Sequence, residues 1–270
     1  MQSQKVKLTQ EKETLLIPLY SKAIQADQSR PIIDDPKAKE ILQSMDYDFS
    51  QLKIPRQSLL TLAMRAKRLD YYVRTYIERS KNPIVLHLGC GLDSRVLRVA
   101  HTKGSWYDLD YPEVIELRSK FYEESEHYHM ISSSVTDFNW IDQIIENGSA
   151  CIIAEGLLMY LKEDDVKQLV ASLQARFPES EMAFDAYSRI TARSAGRHPS
   201  IRRTGAVINW GIDDARQIES WGKGTHVVEE WFFTDSEDIM DMGLGLRMLF
   251  GIVKLFSVAK RAHRIIRIQL

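Results

Sequence analysis

The sequence predicts an α/β protein built on a doubly wound, mainly parallel sheet, and three observations predict it. From Ile84 onward, short apolar runs rich in β-branched residues alternate with segments of helical period. The first of these runs, Pro83 to Leu88, breaks at Gly89-Cys90-Gly91, where the backbone can take φ > 0 and a ligand can approach without meeting a Cβ. The second run, Trp106-Tyr107-Asp108-Leu109-Asp110, closes on a carboxylate 19 residues beyond Gly91. That is about the separation at which the acid ending the second strand of a nucleotide-binding βαβ unit reaches a ribose.

The elements follow in order. Residues 8–27 and 36–45 read as helices separated by a turn-rich stretch holding Pro31 and Pro36. Pro55 to Arg79 reads as a longer helix, with Leu59, Leu62, Ala63, Ala66, Leu69, Tyr72, Val73 and Tyr76 at helical spacing. Strands are expected near 84–89, 105–109, 128–132, 151–155 and 182–187, and helices near 94–101, 112–125, 138–146 and 163–176. Asp93 or Ser94 is placed to cap the helix opening near Val96. The alternation implies right-handed crossovers and parallel pairing. Residues 188–225 lose the strand period and read as an insertion that lids the site. A strand over 226–233, a mostly helical stretch over 235–262 and a last strand over 263–270 complete the chain. We therefore expect one domain over 1–270, with residues 1–80 as a helical cap.

A chain of 270 residues can bury a sizeable core. A net charge of −1 argues against a wholesale electrostatic grip on nucleic acid. Two cysteines cannot make a disulfide framework, and residues 1–13 are polar and mixed in charge rather than a secretory signal, so a reduced, cytoplasmic protein is expected. The longest apolar segment, Leu244 to Val258, is broken by Arg247 and Lys254 and is too short to span a bilayer. No obvious Cys/His or Ser/His/Asp constellation stands out, and His127 and His129 read as a polar strand edge rather than metal ligands.

The glycine turn leaves the nucleotide open, and its neighbours narrow it. A dinucleotide fingerprint needs a third glycine, but Ser94 occupies that place. Asp93 also puts a negative charge where a pyrophosphate would have to sit. Both departures suit S-adenosylmethionine, which carries ribose hydroxyls, an ammonium and a sulfonium but no phosphate. Gly89 and Gly91 are then the cofactor turn. Asp110 is the ribose candidate, a role compatible with capping the helix that opens at Tyr111-Pro112. Glu155 ends the apolar strand Cys151-Ile152-Ile153-Ala154 at the ligand edge of the sheet, where it either meets the donor's ammonium or joins a core ion pair.

Three motifs in order resemble the leucine carboxyl methyltransferase family: Leu88-Gly89-Cys90-Gly91-Leu92-Asp93-Ser94-Arg95, Trp106 through Ile115, and Ile153-Ala154-Glu155-Gly156-Leu157-Leu158-Met159-Tyr160-Leu161. With Trp210-Gly211-Ile212-Asp213-Asp214, they are most similar to its bacterial branch of tetracenomycin-type polyketide carboxyl O-methyltransferases. The resemblance, from about Leu62 to Glu230, implies a Rossmann-like class I methyltransferase sheet with an antiparallel C-terminal hairpin. It implies S-adenosylmethionine as methyl donor and a small acid, or less readily a phenol, as acceptor. It puts Glu155 against the donor, Arg65 on the methionine carboxylate and Tyr160 on the acceptor carboxyl group. Read from the residues alone, Arg65 and its neighbour Arg68 could equally be a solvated helix face, and Tyr160 an aromatic core plug. Ser134 and Val135 occupy the place that flanks the adenine, with Asp137 as the other candidate. Arg189, Arg193, Arg197, Arg202 and Arg203 read as a solvated lid or as a collar for an anionic acceptor, and Trp210 and Trp221 as stacking surfaces for an aromatic one. A protein C-terminus as acceptor, or a methyltransferase-like scaffold that binds without turnover, are the competing functions.

Overall fold

The computed structural model describes residues 4–5, 14–99, 103–195 and 205–270. Its main sheet has seven strands: β3 (Ile84–Leu88), β4 (Ser105–Asp110), β5 (Tyr128–Ser132), β6 (Ala150–Ala154), β7 (Glu181–Tyr187), β8 (His226–Phe232) and β9 (His263–Gln269). They lie in the order β5-β4-β3-β6-β7-β9-β8. The first five are mutually parallel, and β9 inserts antiparallel between β7 and β8. The parallel core and the antiparallel C-terminal hairpin expected from the sequence are both present. Two residue pairs, β1 (Gln4–Lys5) and β2 (Met45–Asp46), form a separate parallel contact.

Alternation along each strand sends successive side chains to opposite faces. Ile84, Leu86 and Leu88 of β3, with Ala150, Ile152 and Ala154 of β6, build one core with helix α6 (Glu163–Arg176). Val85, Trp106, Cys151 and Ile153 build the other. That second core is covered by α1 (Leu16–Gln25), α2 (Pro36–Ser44) and α3 (Arg56–Arg79), so the N-terminal helices pack directly on the sheet. Strand order reverses between β3 and β6. Ligands of such sheets bind beyond the carboxyl ends of the strands at that reversal.

Several helices are shorter than their periodicity suggests. The segment after β3 gives only α4 (Arg95–Arg98), residues 100–102 of that expectation lying outside those described. Neither Asp93 nor Ser94 caps it. Ser94 donates instead to Asp35 Oδ1 at 2.5 Å, and Asp93 is held by Lys22 and Arg98. Helix α5 (Pro112–Arg118) stops before residue 125. Beyond it Tyr122 lies over the Arg118 guanidinium, 4.0 Å from its ring centroid, and donates to the Leu92 carbonyl. Residues 138–146 form a 3-10 turn, Phe138–Gln143, opened by Asp137, whose carboxylate accepts from the Asn139 amide. The first helix begins at Leu16, residues 8–13 being outside those described. Helix α7 (Arg189–Ala195) follows β7, and 3-10 turns over Phe233–Asp235 and Glu237–Asp241 precede α8 (Leu244–Leu255) and α9 (Ser257–Lys260). No helix among the described residues is long and apolar enough to cross a membrane.

Candidate active site

A cavity of about 840 Å³ opens at the carboxyl ends of β3, β4, β6 and β7. Its lining includes Gly89, Gly91, Asp110, Glu155, Arg65, Lys22 and Asp93, together with Tyr160, Tyr187, Thr191, Asn209 and His263. Its volume lies within the range of small-molecule sites.

The glycine turn is fixed by its own backbone. Gly89 and Gly91 have φ of 63° and 53°, in the left-handed region that side-chain-bearing residues avoid. The Gly91 amide donates to Asp110 Oδ2 at 2.8 Å, and the Tyr111 amide donates to Oδ1 at 2.8 Å. Asp110 thereby ties the end of β4 to the turn after β3 and holds the amide of Tyr111, the residue before the following helix, which itself has no side-chain cap. Burial raises its carboxyl above the usual range despite these two bonds.

Around the turn runs a network of buried ions. Arg65 donates to Glu155 Oε1 at 3.1 Å and to Asp185 Oδ2 at 2.7 Å. Glu155 also accepts from Arg95, which reaches Asp70 at 2.7 Å and His87 at 3.1 Å. Lys22 pairs with Asp93 at 3.0 Å. Asp108, wholly buried, accepts from Arg118, from the Trp106 indole at 2.8 Å and from Tyr128 at 2.7 Å. Burial opposes ionisation of each acid, but the neighbouring guanidinium groups outweigh it. Asp70, Asp93, Glu155 and Asp185 are all held below the ordinary carboxylate range, and Asp108 is held at about 2.

These shifts have a sign. Acids that bind protons more weakly when folded stabilise the fold above their unfolded values near ~4, and that stability is lost as pH falls toward about 2. Asp110, shifted upward, works the opposite way but is one group against five. The melting temperature should therefore hold between pH 5 and 7 and fall steeply between about pH 4 and 2. Thermal melts followed by circular dichroism check this, and a melting temperature unchanged at pH 2.5 would refute it.

Most of the residues singled out from sequence meet in one place. Arg65, Gly89, Gly91, Asp110, Glu155 and Tyr160 all line the cavity. Arg68 does not: it turns to Glu229 and packs over Tyr71, Tyr72 and Trp231. Ser134, Val135 and Asp137 are not among the lining residues. Ser134 shares a bond with Thr136, and the buried Val135 accepts from Trp140. Trp210 is buried against Phe184 and Trp221 and offers no face to an acceptor. Arg189 and Arg193 do not line the cavity, and Arg197, Arg202 and Arg203 lie outside the described residues. Residues on both flanks of that gap, Thr191, Ser194 and Ala195 before it and Gly205, Val207 and Asn209 after it, do line the cavity.

Three lining residues carry no local signal. Lys22 arrives from α1. Asn209 donates to the Tyr160 carbonyl at 2.7 Å and so fixes that turn. His263, opposite Tyr187 across the β7–β9 ladder, joins Asp185 at 2.8 Å and lies between Tyr187 and Phe233, at 4.6 and 4.8 Å. A histidine backed by a fully buried aspartate thus lines the cavity, although no such constellation is visible in the sequence.

The donor set fits S-adenosylmethionine. Two glycines hold the turn in its left-handed backbone at the cavity wall, Asp110 closes the second strand, and buried carboxylates and an arginine suit the ammonium and carboxylate of the methionine part. A pyrophosphate would meet Asp93, Asp110 and Glu155 instead.

Comparison with known proteins agrees. The family model for leucine carboxyl methyltransferase matches residues 16–174. The chain is similar to the tetracenomycin polyketide synthesis O-methyltransferase TcmP of Streptomyces glaucescens, at 35% identity over 97% of each chain. It is also similar to the S-adenosyl-L-methionine-dependent methyltransferase dpfgK of Gibberella zeae, at 30% identity over 84% of each. Among solved structures, a DUF574-family protein from Streptomyces avermitilis shares the fold with a TM-score of 0.58 at 11% identity, covering 95% of this chain and 96% of that one.

Proposed function

We propose, from the premise that this chain belongs to the leucine carboxyl methyltransferase family and is an S-adenosylmethionine-dependent O-methyltransferase, that its acceptor is a carboxyl group of a small polyketide-like acid. The observation that carries this reading is the shared cavity, which is lined both by the strand-end carboxylates and Arg65 and by Tyr160, Tyr187 and Asn209. Both cysteines are free and buried, which supports work in a reducing compartment such as the cytoplasm.

The methyl donor arrives already activated as a sulfonium. The chain's residues then have to orient two partners and exclude water. Asp110 is assigned to the ribose hydroxyls, Gly89 and Gly91 to close backbone approach, Glu155 to the ammonium and Arg65 to the methionine carboxylate. Arg65 is held on Glu155 and Asp185, so its guanidinium is aimed before the ligand arrives. Tyr160 is assigned to the acceptor oxygen. Burial pushes the Cys90 thiol well up, so this lining residue stays neutral and does not compete as a nucleophile.

A carboxylate is ionised at neutral pH and needs no base. The Asp185–His263 pair favours a second reading, a hydroxyl acceptor, because a phenol needs its proton taken. Alkali treatment of the methylated product separates them. A carboxyl ester releases methanol and a methyl ether does not. Release of methanol is the expected result. An alkali-stable product would transfer the assignment to the hydroxyl reading, and methylation of peptide carboxyl termini alone would replace the small acid with a protein acceptor.

A further inference from the structure

We propose that a second copy of this chain docks on the outer face of α8 and α9, where an exposed apolar stripe, two open helical glycines and unpaired charges of both signs lie together. Across the two helices only Phe250 is buried, packed with Met64 and Phe233. On the solvent side Leu244, Met248, Ile252 and Leu255 recur at helical spacing, at 71, 59, 52 and 80% exposure. Met240 before them, and Phe256 and Val258 after them, continue the surface. At roughly 200 Å² for a fully exposed large side chain, these seven residues present on the order of 900 Å². The largest apolar patch of an ordinary monomer is about 300–600 Å², whereas a stable complex covers about 800 Å² on each partner.

The glycines point the same way. Gly251 sits inside α8 on the same stripe, between Met248 and Leu255, and Gly245 is the second residue of the helix. A Cβ at either would meet nothing within 4 Å. A helical glycine costs roughly 0.5–1 kcal/mol relative to alanine, and this chain's own packing supplies no reason for it. Close approach of another backbone does.

Charge selects the occupant. Lys254 and Lys260 are both spent on Asp235, at 3.5 and 3.2 Å. The face is therefore not the strongly basic one that an anionic bilayer surface attracts. Among the described residues, Arg247 on α8 and Glu237 on the turn packed beside it form no ion pair. A two-fold interface pairs each patch with itself, so Arg247 of each copy would meet Glu237 of the other. A self-complementary rim around an apolar centre is the pattern of a homodimer. Because Phe250 and Phe233 stand between this face and His263, such a dimer would also brace the acceptor end of the cavity.

The test is the mass of the full chain in solution by light scattering after size exclusion, from about 1 to 100 μM. The expected mass is twice 31.2 kDa. Ile252→Glu, at an exposed position that leaves the fold intact, should convert it to monomer. Gly251→Gln should raise the dimer dissociation constant at least tenfold while leaving the helix content unchanged, since glutamine is the better helix former. A monomer at every concentration overturns the proposal, as does a dimer indifferent to both substitutions. Monomer that sediments with vesicles of phosphatidylglycerol and phosphatidylcholine overturns it too, and assigns the face to a membrane surface.

Discussion

Asp110→Ala is expected to weaken S-adenosylmethionine binding about 100-fold while the protein stays folded. The carboxylate joins two backbone amides, Gly91 and Tyr111, at the rim of the cavity. A ribose diol donating to it gains hydrogen bonds to a charged group, each contributing about 1.5–3 kcal/mol, and a loss of about 2.8 kcal/mol is a factor of 100. The two amides freed by the substitution belong to residues that line the cavity, where water can replace the lost acceptor. Isothermal titration of the wild type and variant gives the ratio directly. A ratio below about threefold, with the far-ultraviolet spectrum unchanged, would remove Asp110 from the donor site.

The second large effect is on stability. Arg118→Met should destabilise the fold by about 3–5 kcal/mol, because it leaves the Asp108 carboxylate buried without its main counter-charge. For a chain of this size that lowers the melting temperature by roughly 10 °C. The remaining partners of Asp108 are the uncharged Trp106 indole and Tyr128 hydroxyl, and His87, whose other ring nitrogen meets Arg95. Arg118 also donates to the Gly91 carbonyl at 3.0 Å, so cofactor affinity should fall with stability. Arg118→Lys, which keeps the charge without the forked geometry, should fall between wild type and methionine. Urea unfolding monitored by fluorescence measures all three, and a methionine variant within 1 kcal/mol of wild type would show that the charge is not what holds Asp108.

What could be read in the sequence depended on range. The bounds of the strands were legible to within a residue or two because the central strands meet a core on both faces and so read as short continuous apolar runs. The glycine turn and Asp110 were legible because two consecutive strands of a βαβ unit bring them together with little freedom. The short helices were not. At Arg118 and Ser94 side chains that local rules assign to helix surface or cap are drawn into distant ion pairs and hydrogen bonds. Lys22, Asp185 and His263 reach the site from elements 71, 29 and 78 residues from their partners Asp93, the Gly156 amide and Asp185, and no spacing rule connects them. One signal was present all the same. His87, Asp108 and Asp185 each interrupt an otherwise apolar strand on the face that α1 to α3 cover, and a charge at a core position requires a partner. Three such interruptions near the same strand ends marked a buried polar layer whose cations had to come from elsewhere in the chain.

The cavity beyond β3, β4 and β6 is expected to receive a phosphate-free sulfonium nucleoside. A crystal structure of the protein grown with S-adenosylhomocysteine tests it most directly. The ribose is expected on Asp110, the amine on Glu155 and the carboxylate on Arg65, with the sulfur facing Tyr160. Density for the nucleoside outside this cavity, or a ribose turned away from Asp110, would contradict it.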